Sequence, residues 1–139
     1  ERKKSMDIKE YKTMMDQVTK KDPKVYLVQE IPVWREHENP EKAGKPKVDI
    51  TPALKYGEIK IMFPRLKQMQ FSPGPMVMEI KNSLKNFTSD DYLLLYGDPA
   101  IIGVVCAVVS DITNGKFKLL KFDRRQFTYY PIELNIFQN

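Results

Sequence analysis

The stretch DYLLLYGDPAIIGVVCAVVSDITNGKFKLLKF, Asp91 to Phe122, decides the fold. Tyr92 to Tyr96 is a short, almost wholly apolar run, the pattern of a strand buried on both faces. Gly97-Asp98-Pro99 follows it. Asp98 suits a helix N-cap, and Pro99 suits the first helical position, where its missing N–H costs nothing. Ala100 to Ile112 is apolar nearly all round and predicts the most buried helix. Asn114-Gly115 ends it, because both residues tolerate the left-handed backbone a helix C-terminus needs. Lys116 to Phe122 then reads as a strand. A strand, a helix and a strand with tight joints form a βαβ unit, parallel and right-handed. Asp123 to Gln126 reads as a turn and Phe127 to Phe137 as a last strand, which closes a hairpin.

Upstream, Val25 to Val33 is predicted as a strand, with Pro32 marking an edge position or a strand terminus. Tyr56 to Phe63 is a second strand. Ile59, Ile61 and Phe63 point one way, and Glu58 and Lys60 point the other. Ser72-Pro73-Gly74-Pro75 introduces a helix from about Met76 to Phe87, with Met76, Ile80, Leu84 and Phe87 as its apolar stripe. Residues 3–20 read as a thin-striped N-terminal helix over Ile8, Tyr11, Met15 and Val18, and its Met6, Met14 and Met15 would suit a partner groove. Residues 35–54 hold Pro40, Gly44, Pro46 and Pro52 among alternating charges and read as a long loop, the candidate mobile element. The expectation is therefore one α/β (α+β) domain over 1–139. It has a mixed sheet of about five strands, a C-terminal βαβ unit plus hairpin, two packed helices and a peripheral helix over 1–22.

Composition narrows the function classes. The chain has 139 residues, 42% of them hydrophobic, which is enough for a core without metals or disulfides. Its single cysteine, Cys106, cannot form an internal bridge, so a reducing, cytoplasmic setting is expected. The longest apolar run, Ala100 to Val109, is about half the ~20 residues of a spanning helix, so no membrane partner is expected. The numbered chain opens on charged residues from Glu1, without the apolar h-region of a signal peptide. A net charge of +5 points to an acidic partner, nucleic acid or an acidic protein surface.

Several groups of residues resemble a known pattern. Asp91-Tyr92-Leu93-Leu94, Gly97-Asp98-Pro99-Ala100, Asn114-Gly115-Lys116-Phe117, Leu120-Lys121-Phe122-Asp123-Arg124 and Tyr130-Pro131-Ile132 are similar to small proteins of tailed phages that infect marine bacteria, cyanophages especially. Val25 to Pro32 and Ser72 to Pro75 extend the likeness, which covers roughly residues 24 to 136. It implies a phage protein acting in an infected bacterial host, and it brings no active site with it.

The residues offer their own candidates. Lys116, Lys118, Lys121, Arg124 and Arg125 crowd into the hairpin, interleaved with Phe117, Phe122, Phe127, Tyr129 and Tyr130. Cations neutralise phosphates and aromatic rings stack on bases, so Lys116, Lys118, Lys121, Arg124, Arg125 and Tyr129 form a candidate single-stranded nucleic-acid site. The plainer alternative is a hairpin with a core face and a wet face, since Lys121 alternates away from Lys116 and Lys118. Glu58-Ile59-Lys60 with Asp49 upstream is similar to the PD-(D/E)xK nuclease pattern, where carboxylates hold a divalent metal and the lysine assists water. Any amphipathic strand also yields E-x-K. His37, the sole histidine, sits between Glu36 and Glu38 without a second ligand at a useful spacing. Cys106 reads as a small core residue, and Trp34 as packing at a sheet edge. No cofactor and no resident metal are expected. A non-enzymatic phage accessory protein that binds nucleic acid, or a protein that handles it, heads the expectations. A structural, homo-oligomeric protein that uses exposed strand edges is the second, and the metal-dependent nuclease the third.

Overall fold

In the computed structural model, residues 7–12 and 22–138 are described. The predicted N-terminal helix, with Met6, Met14 and Met15, lies mostly outside them. Residues 8–12 are helical, with Ile8 and Tyr11 exposed. The strands are β1 (Lys24–Gln29), β2 (Glu58–Phe63), β3 (Tyr92–Leu94), β4 (Lys116–Asp123) and β5 (Thr128–Asn135). The helices are α1 (Gly74–Ser83) and α2 (Pro99–Ile112), and a 3₁₀ helix spans Thr51–Tyr56.

The five strands form one sheet in the order β2-β1-β3-β4-β5. The first four are parallel, and β5 runs antiparallel to β4. The mixed α+β architecture, the parallel β3–α2–β4 unit and the closing hairpin all match expectation. Local chemistry explains why. The Asp98 side chain caps α2 by accepting the Ala100 N–H at 2.8 Å, with Pro99 behind it. Asn114 (φ 53°) and Gly115 (φ 77°) both take the left-handed turn that ends the helix.

The strand order sets the two faces. α1 and α2 both lie on one face, where Met76, Ile80, Ile101, Val105 and Val109 pack with Tyr26, Val28 and Leu93. Among the described residues the other face carries no α-helix. The 3₁₀ helix covers part of it, with Ala53 packed against Val25, Leu27, Leu94, Leu120 and Tyr129. Strand β1 therefore sits between two cores, and Val25 through Val28 are all buried.

Three expectations change. β1 stops at Gln29, so Pro32 marks a terminus in a central strand rather than an edge. Helix α2 is apolar on every side, yet only the line Ile101, Val105, Val109 is buried, and Ile112 is half exposed. With both helices on one face of a five-stranded sheet, no element among the described residues covers the outer sides of α2. The 35–54 segment is also less irregular than its composition suggests. Val33 bridges Pro46, the Trp34 N–H donates to the Lys45 carbonyl, and the Gly44 N–H donates to the Trp34 carbonyl. The 3₁₀ helix then begins at Thr51.

Candidate functional site

The β4–β5 hairpin carries the predicted basic cluster, and alternation divides it. Phe117 and Leu119 point to the helical face. Lys121 shares that side by period two, while Lys116 and Lys118 point to the other face. Lys118 lies over the Tyr92 ring, its Nζ 4.5 Å from the centroid. Tyr92 meets Tyr56 at 5.2 Å, and Lys55 lies over Tyr56 at 5.2 Å. Lys55, Tyr56, Tyr92 and Lys118 thus form a row across the sheet. Nothing local in sequence pairs residue 55 with 118, and only the strand order brings them together.

The tip of the hairpin is different. Arg124 and Arg125 are exposed in the turn, and Asp123 fixes the turn by accepting the Arg125 N–H at 2.9 Å. Phe127 closes it with φ 49°, an unusual backbone conformation for a bulky residue, and its ring is 75% exposed. The Phe122 ring touches it edge-on at 6.3 Å. Among the described residues the ion pairs are Lys24–Glu58, Lys47–Glu38 and Lys67–Glu79, so no hairpin cation is neutralised by a carboxylate.

Tyr129 occupies a different place from the one the cluster needs. It is 3% exposed and packs in the second core. Its hydroxyl donates to the Asp49 carbonyl at 3.4 Å, and its carbonyl accepts from the Tyr56 hydroxyl at 2.8 Å. Burial, then the charge of Asp49, pushes its hydroxyl above the usual tyrosine range. No face of this ring is free to stack. The most exposed ring of the hairpin is that of Phe127, with Tyr130 also exposed, and sequence pattern alone did not separate them from their neighbours.

Asp49, Glu58 and Lys60 do not converge. Asp49 lies on the 3₁₀ face, where its carboxylate accepts from Thr51 at 2.9 Å. That bonding holds its carboxyl below the usual range. Glu58 pairs with Lys24 at 3.3 Å, and Lys60 lies over Tyr26, whose ring belongs to the helical-face core. The sheet therefore stands between Asp49 and the other two. Among the described residues no group of three or more His, Cys, Asp and Glu gathers in a way that could hold a metal. His37 lines a surface hollow beside Glu38 and Lys47, which pair at 2.8 Å. Trp34 packs under Lys47. Cys106 is half-buried on α2, and that burial raises its thiol pKa.

A cleft of about 720 Å³ opens where β1 and β3 end, between loops that leave the sheet on opposite faces. In open α/β sheets this crevice is the usual ligand position. Here its polar groups serve the protein itself. Gln29, 3% exposed, donates from Nε2 to the carbonyls of Pro64, Arg65 and Lys67 at 2.9, 3.1 and 2.7 Å. Its Oε1 accepts the Asp98 N–H at 2.8 Å. The second Asp98 oxygen accepts the Met69 N–H at 3.1 Å. The cleft floor is thus a joint between loops. Sequence gave one hint of it, a lone polar residue closing the apolar run of β1.

Fold and surface define a small mixed-sheet α+β protein with a cationic hairpin. A family model described as phage Pam3 gp32-like protein matches residues 23–136. The chain belongs to that family and is a phage protein. No curated protein and no solved structure shows a significant match to it. No helix among the described residues is long and apolar enough to cross a membrane.

Proposed function

We propose that this phage protein is a non-enzymatic accessory protein that binds single-stranded nucleic acid through the tip of the β4–β5 hairpin. The observation that carries the reading is Phe127, held outward at positive φ beside Arg124 and Arg125, which have no carboxylate partner among the described residues. A backbone outlier at an exposed aromatic is a common mark of a binding position, because glycine or asparagine would fill that turn at less cost. The arginines and Lys121 meet phosphates, and the ring meets a base. The setting is the cytoplasm of an infected bacterium, and the residue pattern of 24–136 supports a marine, cyanophage-type host.

A fluorescent single-stranded oligonucleotide tests the reading by anisotropy. Three cations on phosphates give a log K against log salt slope of about −2. Phe127→Ala weakens binding by about 5- to 150-fold, the worth of one stacked base. Arg124→Glu with Arg125→Glu abolishes it, whereas Lys118→Glu, over the Tyr92 ring, has a smaller effect. No binding at low salt refutes direct recognition and leaves a protein that handles nucleic acid as the partner to seek.

A further inference from the structure

The two edges of the sheet are not equivalent. On β5, Pro131 stands mid-strand and lacks an N–H, so that edge cannot extend a ladder. The outward carbonyl of Tyr129 is already taken by the Tyr56 hydroxyl. Strand β2 forms the opposite edge, without a proline and with no further strand beside it among the described residues. The Lys24 N–H donates to Asp91 beside β3, so Lys24 and Tyr26 turn their backbone groups to β3, and Val25 and Leu27 turn theirs to β2, where Glu58 and Lys60 meet them. Ile59 and Ile61 therefore turn theirs outward.

We infer that β2 pairs with the β2 of a second copy, antiparallel, about a two-fold axis at Ile59. The Glu58-Ile59-Lys60 triplet is self-complementary in that register. Glu58 stands opposite the partner's Lys60, and Lys60 opposite the partner's Glu58. Ile59 and its copy exchange the backbone hydrogen bonds, and the Glu58–Lys60 pairs on either side are non-hydrogen-bonded pairs, where opposite side chains come closest. Ile59 meets its own copy on the other face, with Ile61, 51% exposed, diagonal to it. Centring the axis on Lys60 instead places two lysines opposite each other, which is disfavoured. Among the described residues Glu58 at present pairs with Lys24, and their side chains are 79% and 42% exposed, so little is lost when Glu58 changes partner.

Sedimentation velocity over a concentration series tests the inference. Wild type shifts from monomer to dimer as concentration rises. Glu58→Lys and Lys60→Glu each place like charges at both symmetric positions, and each weakens the dimer by roughly 10- to 100-fold. Mixing these two variants restores attraction at both positions and gives a heterodimer. The double swap Glu58→Lys with Lys60→Glu dimerises by itself. Recovery in the mixture and in the double swap separates charge register from misfolding. A wild type that stays monomeric at the highest concentration overturns the inference, as does a dimer indifferent to both single swaps or a mixture that fails to recover.

Discussion

Replacing Gln29 by leucine should be among the most damaging polar-to-apolar changes in the chain. The amide fills the joint beneath the cleft, with Nε2 in contact with three carbonyl oxygens and Oε1 with one N–H. Two protons are shared among three acceptors, so about three effective hydrogen bonds are lost. At roughly 1 kcal/mol each the cost is about 3 kcal/mol, with more where the Asp98 N–H stays out of reach of water. For 139 residues the unfolding entropy near Tm is about 0.3 kcal/mol/K, so Tm falls by about 10 °C. Urea unfolding followed by far-UV circular dichroism measures the first figure, and a thermal scan the second. Gln29→Glu keeps the shape but turns a carboxylate towards three carbonyl oxygens. Burial and those oxygens raise its folded pKa above the unfolded value, so the variant is least impaired at acid pH and loses stability as pH rises through the folded pKa. A Gln29→Leu protein within about 1 kcal/mol of wild type would show that the joint contributes nothing and refute the reasoning.

Gly97→Ala should cost about 2–4 kcal/mol in the same urea assay, because the new Cβ would collide with the Gln29 amide at a backbone φ of 134°. Phe127→Gly should raise stability by about 1 kcal/mol while weakening oligonucleotide binding, since it relaxes the positive φ and removes the ring. Asp49 has a lowered pKa through its bonds to Thr51, so its contribution is complete above the unfolded carboxylate value and is lost as pH falls through the folded one. The stability difference between wild type and Asp49→Ala should accordingly close in acid, measured by urea titration at stepped pH. Cys106 should react slowly with a thiol reagent at neutral pH and faster in alkali, because half-burial holds its pKa up.

Reading the sequence recovered those parts of the fold whose causes are local. The β3–α2–β4 unit was legible because Asp98, Pro99, Asn114 and Gly115 set its joints within a few residues. Met76, Ile80, Leu84 and Phe87 were legible as one stripe, and all four are buried even though α1 ends at Ser83 and the last two lie in the turn beyond it. What escaped depends on distant partners. The bridge between Val33 and Pro46 is a backbone pairing with no hydrophobic alternation to announce it. The inward turn of Tyr129 follows from its register opposite Phe122, fixed only once the hairpin is paired. The outward Phe127 rests on a backbone angle that composition does not encode. Five cations could be counted in the sequence, but their division between a tip and a row over tyrosines required the strand order.

The central place of β1 bears on how the chain folds. It is the first strand of the sheet to leave the ribosome, yet its neighbours are residues 58–63 and 92–94. The innermost pair of seams must wait for segments synthesised much later, and until then Val25 to Val28 have no shelter. Such non-local pairing slows folding and exposes a nascent polypeptide to aggregation. Fragments ending before Tyr92 would leave β1 paired along one side only, so they should collect in the insoluble fraction where the full chain does not.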